Sequence, residues 1–211
     1  IFVSDAGSHT TFEMLLYNAR YPNHLLFPGA SAPMGYGLPA GIGAAAATGE
    51  RIIVFNGDGG FQMNIQELAT LKERNLNVII FILNNSELGI IRQWQEDFYD
   101  MDSYQTDLAN PDFLRIAQSY AIDGVRIDNL KDLDDFLKND LEGPLVVEII
   151  VDKETKLTDK SVSFKMPKAL ANRLLHIEIE GSYESWNTWA VKAGINAKVL
   201  GYLASHTGRL F

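Results

Sequence analysis

The sequence predicts an α/β protein: a doubly wound, mainly parallel six-stranded sheet with helices on both faces, followed by a C-terminal extension. Two apolar, β-branched runs at residues 52–55 and 78–83 have the length and composition of buried parallel strands. The stretch between them carries apolar residues at the spacing of one helix face, at Ile65, Leu68, Ala69 and Leu71. Strand, helix and strand in this order form a βαβ unit.

Further strands and helices alternate along the chain, as a doubly wound sheet requires. Other apolar runs predict strands at residues 1–4, 24–27, 125–127 and 145–151. Helices are predicted at residues 10–18, within the Gly- and Ala-rich stretch 34–49, from Asn110 onward and, with an acidic outer face, at 130–141. The small residues of the Gly- and Ala-rich stretch allow a helix to lie close against the sheet.

The composition limits the class of protein. The chain has 211 residues, of which 46% are hydrophobic and 21% charged, as expected for one α/β domain with an extension. Cysteine is absent, so neither a disulfide framework nor a thiolate metal site can form. The net charge of −9 argues against nucleic acid as a partner. No apolar run approaches the roughly 18 residues that span a bilayer, so no membrane partner is expected.

The chain begins at Ile1 in a run that is already strand-like, without an initiator Met. We therefore expect a fragment or a processed piece, whose targeting segment would lie upstream. A cytoplasmic location is expected, and organellar targeting stays open.

Polar and glycine residues follow both strands of the βαβ unit. Gly57-Asp58-Gly59-Gly60 comes directly after the first strand, and Asn84-Asn85 ends the second. Parallel strands bring both clusters to the carboxyl edge of the sheet, where open α/β folds bind ligands. The glycines let the backbone approach a ligand closely, and the start of the next helix favours an anion such as phosphate.

Asp58 places a carboxylate inside this predicted anion site. Carboxylate and phosphate repel each other unless a cation lies between them, and Mg²⁺ accepts carboxylate, amide, main-chain and phosphate oxygens together. The residues therefore predict a diphosphate bridged by a metal ion through Asp58 and Asn85. Gly-Asp-Gly alone is usually an ordinary turn, and it is the pairing with Asn84-Asn85 that makes the signal specific.

These two clusters resemble the thiamine diphosphate (ThDP) motif of ThDP-dependent enzymes. The wider sequence, from DAGSHT at Asp5 through LGIIRQWQEDFY at 88–99 to NPDFLRIAQSYA at 110–121, resembles the ThDP-binding (PP) domain of acetolactate synthase (acetohydroxyacid synthase) large subunits. The resemblance covers residues 1–155 and implies the ThDP-binding fold for them. Residues 156–211 depart from the family and are expected to be a mainly helical extension.

The resemblance implies roles for individual residues. Ser8 and His9 would contact the diphosphate, although a helix cap and a surface histidine are the alternative interpretations. The main chain at Ala32, where the family often has Gly, and at Met34 would hold the aminopyrimidine ring, with the Met34 side chain supporting the bent cofactor. The metal would take the main-chain oxygen of Glu87.

The expected cofactor-binding residues are Ser8, His9, Ala32, Met34, Gly57, Asp58, Gly59, Gly60, Asn85, Glu87, Leu88 and Gly89, and the expected metal ligands are Asp58, Asn85 and Glu87. Arg92 and Trp94 are expected in the substrate pocket, where the family's equivalent of Trp94 favours the larger 2-ketoacid as acceptor. The alternative is that Ile90, Ile91 and Trp94 form an apolar core face and that Arg92 is a solvated charge.

The resemblance implies an enzyme that uses ThDP and Mg²⁺ to decarboxylate pyruvate, or a related 2-ketoacid, and passes the two-carbon unit to a second 2-ketoacid, as in branched-chain amino acid biosynthesis. The Glu that activates the cofactor belongs to a PYR domain, which no part of this chain resembles. The chain should thus need a PYR domain, from its own polypeptide or a partner subunit, in a homodimer or homotetramer. FAD in the full-length enzyme is left open.

Other functions stay open. A different ThDP-dependent 2-ketoacid decarboxylase or an acyl-transferring lyase would share this domain, and so would a non-catalytic module with the same fold. A nucleotide-binding Rossmann protein is disfavoured, because the glycines at 35–43 do not have the spacing of Gly-x-Gly-x-x-Gly. In the extension, helices are predicted at 167–176 and 182–193, with Trp186 and Trp189 on one face for a subunit or interdomain contact.

Overall fold

The computed structural model describes residues 1–19 and 21–153. Within them, six strands form one sheet: β1 Phe2–Ser4, β2 Leu25–Leu26, β3 Ile52–Gly57, β4 Val78–Asn84, β5 Asp123–Ile127 and β6 Leu145–Ile150. Their order is β2-β1-β3-β4-β6-β5, and every neighbouring pair is parallel. The predicted doubly wound fold is therefore confirmed. The predicted boundary at 155 and the helices beyond it lie outside the described residues.

Seven helices connect these strands in the described part of the chain: α1 Ser8–Leu16, α2 Gly37–Thr48, α3 Asp58–Met63, α4 Leu68–Glu73, α5 Gly89–Asp97, α6 Phe113–Ser119 and α7 Leu130–Leu137. Their ends differ from the predicted ones by a few residues, as is usual for boundaries inferred from a pattern. No helix among them is long and apolar enough to cross a membrane.

The connection between β3 and β4 differs from the single predicted helix. It is divided into α3 and α4 by a 3₁₀ turn, Ile65–Glu67, which follows the non-helical backbone of Asn64. The Asn64 side chain donates a hydrogen bond to the Gly35 carbonyl (2.7 Å), which ties the break to the segment before α2. Leu68 and Leu71 are fully buried as predicted. Ala69 is exposed, so its place on the buried face was wrong.

Both faces of the sheet are covered. On one face, Val54 and Ile80 pack in a cluster with Leu38 of α2, Leu71 of α4 and Phe113 of α6. On the other face, a second cluster contains Phe81 and Val147 and is covered by Leu133 and Phe136 of α7. The outward side of α7 is exposed, as its acidic residues predicted. With both faces covered, the carboxyl edge of the sheet is where loops are free to form a site.

Gly41 and Gly43 offer a matched test of how α2 meets the sheet. A Cβ on Gly41 would collide with the Val54 side chain of β3, whereas a Cβ on Gly43 would have no atom within 4 Å. Gly41→Ala should lower the free energy of unfolding by about 2 kcal/mol through overpacking. Gly43→Ala should raise it by about 1 kcal/mol, because alanine is the better helix former. Denaturant unfolding measures both, and changes of the same sign would contradict this packing.

Candidate functional site

A cavity of about 610 Å³ lies at the carboxyl edge of the sheet. It is bordered by the loops after β1, β3 and β4 and by the beginnings of α1, α3 and α5. Every residue that the sequence singled out for cofactor, metal or substrate lines it, from Ser8 and His9 through Asp58 and Asn85 to Trp94. The topology thus brings together residues that are far apart in the chain, while their roles stay predictions.

Asp58 lies at the centre of this edge, as the first residue of α3 directly after β3. It is 2% exposed, and burial raises the pKa of its carboxyl, while the hydrogen bond from Asn110 opposes the rise. Asn110 Nδ2 donates to Asp58 Oδ2 at 2.6 Å. No cationic side chain among residues 1–19 and 21–153 forms an ion pair with it. A buried carboxylate without a cation is a suitable place for a metal ion.

The loop after β4 supplies the other predicted oxygens. Asn85 Oδ1 accepts a hydrogen bond from the Glu87 N–H (3.2 Å), which closes a tight turn around Ser86. A Cβ on Gly89 would lie 3.0 Å from Asn85 Nδ2 and 3.3 Å from Ser8 Oγ, so glycine lets α5 start close to both. The loop is therefore compact enough to present Asn85 and the Glu87 main chain to one ligand.

The Glu87 side chain is engaged elsewhere. Its carboxylate, 3% exposed, accepts from Arg92 Nη1 at 2.9 and 3.3 Å. The carboxylate is thus occupied by Arg92, and the use of the Glu87 main-chain oxygen by a metal stays a prediction. No cluster of three His, Cys, Asp or Glu side chains suited to a metal occurs in the part of the chain that the structure describes. The predicted set is instead one carboxylate, one amide oxygen and one main-chain oxygen, which are hard ligands that fit Mg²⁺.

Arg92 and Trp94 line the cavity from α5. The Arg92 side chain is only 15% exposed and binds Glu87 and also Glu96 (2.8 Å), so the alternative of a solvated charge is wrong. Trp94 is 47% and Ile91 38% exposed, and α5 has no buried residue. The alternative that this stretch forms a core face is therefore wrong as well. An exposed apolar strip beside a cavity is typical of a surface that contacts a ligand or another domain.

Ser8 and His9 line the cavity from the start of α1. Gly7 is the N-cap of α1 and no side chain caps it, so the alternative of Ser8 as a cap is wrong. His9 is not a surface histidine: burial lowers its pKa to about 4, and the nearby Asp5 only partly opposes this. Its buried Nε2 has no hydrogen-bond partner among the described residues. The neutral imidazole thus keeps one ring nitrogen available for a further hydrogen bond.

Glu13 was not singled out from the sequence, although it also lines the cavity from α1. Burial raises the pKa of its carboxyl to about 7, and the neighbouring Asp5 adds to the rise. Neither carboxylate oxygen has a hydrogen-bond partner within residues 1–19 and 21–153. Nothing in the helical pattern distinguishes it from a surface glutamate, since its burial depends on the sheet beneath α1.

Asp5 is a second residue that sequence reasoning missed. It follows β1, is fully buried, and accepts from the main-chain N–H groups of Gly35 (3.0 Å), Tyr36 (2.8 Å) and Gly37 (3.2 Å). Asn56 Nδ2 donates to it as well (2.9 Å). The carboxylate therefore anchors the start of α2 and the segment that carries Ala32 and Met34. Its position directly after a strand, at the carboxyl edge, was the available signal.

The shape of the cavity wall near Asp58 also depends on glycines that have no room for a side chain. A Cβ on Gly60 would collide with Asp5 Oδ2, and a Cβ on Gly59 would lie 3.3 Å from Met34 Cε. The end of the Met34 side chain thus lies next to the start of α3. Ala32 has a left-handed backbone conformation (φ 39°), which turns the main chain before Met34.

Comparisons with known proteins agree on one family. Residues 5–149 match the family described as "Thiamine pyrophosphate enzyme, C-terminal TPP binding domain". The chain is 39% identical over 156 residues to an acetolactate synthase large subunit of Lactococcus lactis, covering 72% of this chain and 27% of the relative. It is 36% identical over 151 residues (70% and 22%) to a mitochondrial acetolactate synthase catalytic subunit of Aspergillus candidus. It is 37% identical over 162 residues (72% and 25%) to the chloroplastic acetolactate synthase 2 of Zea mays.

The chain spans about a quarter of the length of these curated relatives, between 22% and 27%. The residues that match the family, 5–149, contain strands β2 to β5, most of β6 and most of the cavity lining. Residues beyond the match include the whole of the predicted extension.

Proposed function

The chain belongs to the thiamine pyrophosphate enzymes through their C-terminal TPP-binding domain, and on this premise we propose that it is the ThDP- and Mg²⁺-binding domain of an acetolactate-synthase-like enzyme. That enzyme decarboxylates a 2-ketoacid, such as pyruvate, and transfers the two-carbon unit to a second 2-ketoacid. The observation that carries the proposal is Asp58, a buried carboxylate that has no cationic partner among residues 1–19 and 21–153 and lies in a cavity built from glycine turns.

The residues around Asp58 would bind different parts of the cofactor and its metal ion. Asp58, Asn85 and the main-chain oxygen of Glu87 would hold Mg²⁺, which would neutralise the repulsion between carboxylate and diphosphate. Ser8, His9 and the backbone at Gly57, Gly59, Gly60, Leu88 and Gly89 would approach the diphosphate. ThDP supplies a carbon nucleophile and an electron sink when bound, so this chain's task is to bind, orient and keep out water.

The other end of the cofactor would lie against the segment that Asp5 anchors. The main chain at Ala32 and Met34 would hold the aminopyrimidine ring, and the Met34 side chain, close to Gly59, would support its bent shape. The activating Glu would come from a PYR domain, in the same polypeptide or a partner subunit of a homodimer or homotetramer. The cytoplasmic location and the possible FAD of the intact enzyme stay predictions.

The product of the intact protein tests the proposed reaction. The protein is incubated with ThDP, Mg²⁺ and pyruvate, alone and together with a larger 2-ketoacid, and the products are identified by NMR. We expect acetohydroxy acids that form only when ThDP and Mg²⁺ are present. Acetaldehyde as the sole product would favour the simple decarboxylase, and Mg²⁺-dependent ThDP binding without turnover would favour the non-catalytic module.

Trp94 is proposed to select the acceptor. Its exposed ring lines the cavity, and contact with one additional methylene of a substrate typically changes specificity about tenfold or more. Trp94→Leu should therefore shift the ratio of products from two competing acceptors by about tenfold, with ThDP affinity unchanged. Tyr99→Leu, at an exposed aromatic residue outside the cavity lining, is the control. Product ratios equal to those of the wild type would contradict the assignment.

A further inference from the structure

A chain of polar side chains connects Asp58 with the surface of the sheet. Arg126 Nε donates to Glu148 Oε2 at 2.7 Å, and Asn84 Nδ2 donates to Glu148 Oε1 at 2.7 Å. Asn110 Nδ2 donates to Asn84 Oδ1 at 2.9 Å and to Asp58 Oδ2 at 2.6 Å. Glu148 lies within β6, Asn84 at the end of β4 and Asn110 before α6, so three separate segments meet at the predicted metal ligand.

The direction of each hydrogen bond in this chain follows from its neighbour. Glu148 is 2% exposed, and both its carboxylate oxygens accept, one from Arg126 in an ion pair and the other from Asn84. Asn84 must therefore turn its NH₂ group toward Glu148, which leaves its Oδ1 facing Asn110. Asn110 in turn must present its NH₂ group, whose two hydrogens serve Asn84 and Asp58.

The far side of Asn110 agrees with this orientation. Gln62 Nε2 donates to Asn110 Oδ1 at 2.8 Å, so the amide oxygen is satisfied away from Asp58. Asn84 Oδ1 also accepts from the Ser86 N–H (3.0 Å), which confirms that this atom acts as an acceptor. With its oxygen and both N–H groups occupied, the Asn110 amide has one orientation in which all partners are satisfied.

We infer that Asn110, oriented by Glu148 through Asn84, is a positioning residue that holds the Asp58 carboxylate by Oδ2 in the orientation that binds a divalent cation. The inference rests on the proposed function, because the cation is the one that bridges Asp58 and the diphosphate. Partners that orient a metal ligand change metal affinity about 10- to 100-fold when they are removed. Asn110 therefore acts on the cation through Asp58 and not by direct contact.

A Mg²⁺ titration of the intact protein at saturating ThDP tests the inference by calorimetry. Asn110→Ala should weaken the apparent Mg²⁺ affinity by about 10- to 100-fold, and raised Mg²⁺ should restore ThDP binding. A merely stabilising residue would lower the melting temperature without changing the Mg²⁺ dependence. Asn129→Ala is the control, because Asn129 is also an asparagine before a helix, α7, but is exposed and donates to its near neighbours Asp128 and Asp132.

Glu148→Gln tests the orientation itself. Glutamine can donate as well as accept at position 148, so Asn84 loses its obligatory direction. We expect several-fold weaker Mg²⁺ binding in the wild-type background and no further loss in the Asn110→Ala background, because both residues act through one chain. Equal losses in both backgrounds would overturn the connection between Glu148 and Asn110.

The results of these experiments distinguish a failure of the positioning role from a failure of the proposed function. Mg²⁺-dependent ThDP binding by the wild type together with unchanged Mg²⁺ affinity in Asn110→Ala overturns the positioning role alone. ThDP binding by the wild type that does not depend on Mg²⁺ overturns the proposed metal site and, with it, the positioning role. Asn110→Ser, which is a smaller change, replaces Asn110→Ala if the alanine variant does not fold, and is expected to show the same loss of Mg²⁺ affinity.

Discussion

Asp58→Asn is expected to weaken Mg²⁺-dependent ThDP binding by about 100-fold or more, because the cation loses its only carboxylate in the predicted set. Asp58→Ala should abolish this binding. The same Asn substitution should make the metal-free protein more stable at neutral pH. Burial raises the pKa of Asp58 above its unfolded value, so the metal-free fold loses stability as pH rises through the folded pKa. Asparagine has no charge to bury and can still accept from Asn110.

Two measurements check these opposite effects. Calorimetric titration of ThDP in the presence of Mg²⁺ reports binding in the intact protein, and thermal melting without metal, followed from the ordinary pKa of an aspartate upward in pH, reports stability. Asp132→Asn is the matched control, since Asp132 also lies in the first turn of a helix but is exposed. If Asp58→Asn binds ThDP as tightly as the wild type, the metal role of Asp58 is refuted. If it melts at a lower temperature than the wild type without metal, burial of the Asp58 charge does not destabilise the metal-free protein.

The polar residues at the carboxyl edge of the sheet could be predicted from local patterns, because the parallel pairing of β3 and β4 brings the ends of these strands together. Gly57 ends β3, Asp58 follows it, and Asn84 ends β4. These two strands pair in parallel along the whole of β3, from Ile52 to Gly57. Once the β-branched runs are recognised as neighbouring parallel strands, their ends must meet at one edge. The cavity that contains all predicted site residues therefore follows from periodicity and from residue types at strand ends.

The contacts made by loops could not be predicted in this way. Asn110 reaches Asp58 over 52 positions of sequence, from the loop just before α6, and no local pattern indicates which side chain it meets. The pairing of Arg92 with Glu87 depends on the turn at Ser86, which has a positive φ that the residue type does not demand. The predicted helix is interrupted at Asn64, whose side chain donates a hydrogen bond to a main-chain carbonyl in another loop. Side-chain hydrogen bonds between loops are thus the information that pattern analysis lacks.

Asp5→Ala is expected to lower the free energy of unfolding by about 4 kcal/mol or more, since each buried donor left without an acceptor costs about 1–3 kcal/mol. Four donors depend on this carboxylate, three from the backbone before and at the start of α2 and one from Asn56. The site is fully buried, so water cannot replace the lost acceptor. The segment that carries Met34 should lose its anchor at the same time.

Asp112→Ala provides the matched comparison, because Asp112 also accepts two backbone N–H groups, at the start of α6, but is exposed. Its loss should cost about 1 kcal/mol, the usual value for an N-cap that water can partly replace. Denaturant unfolding of the 211-residue chain measures both variants. If the two substitutions lower the free energy of unfolding by the same amount, burial of the Asp5 carboxylate is not what holds the start of α2. A loss that is large only for Asp5→Ala ties the placement of Met34 to the residue directly after β1, and so connects the stability of the sheet to the shape of the cavity.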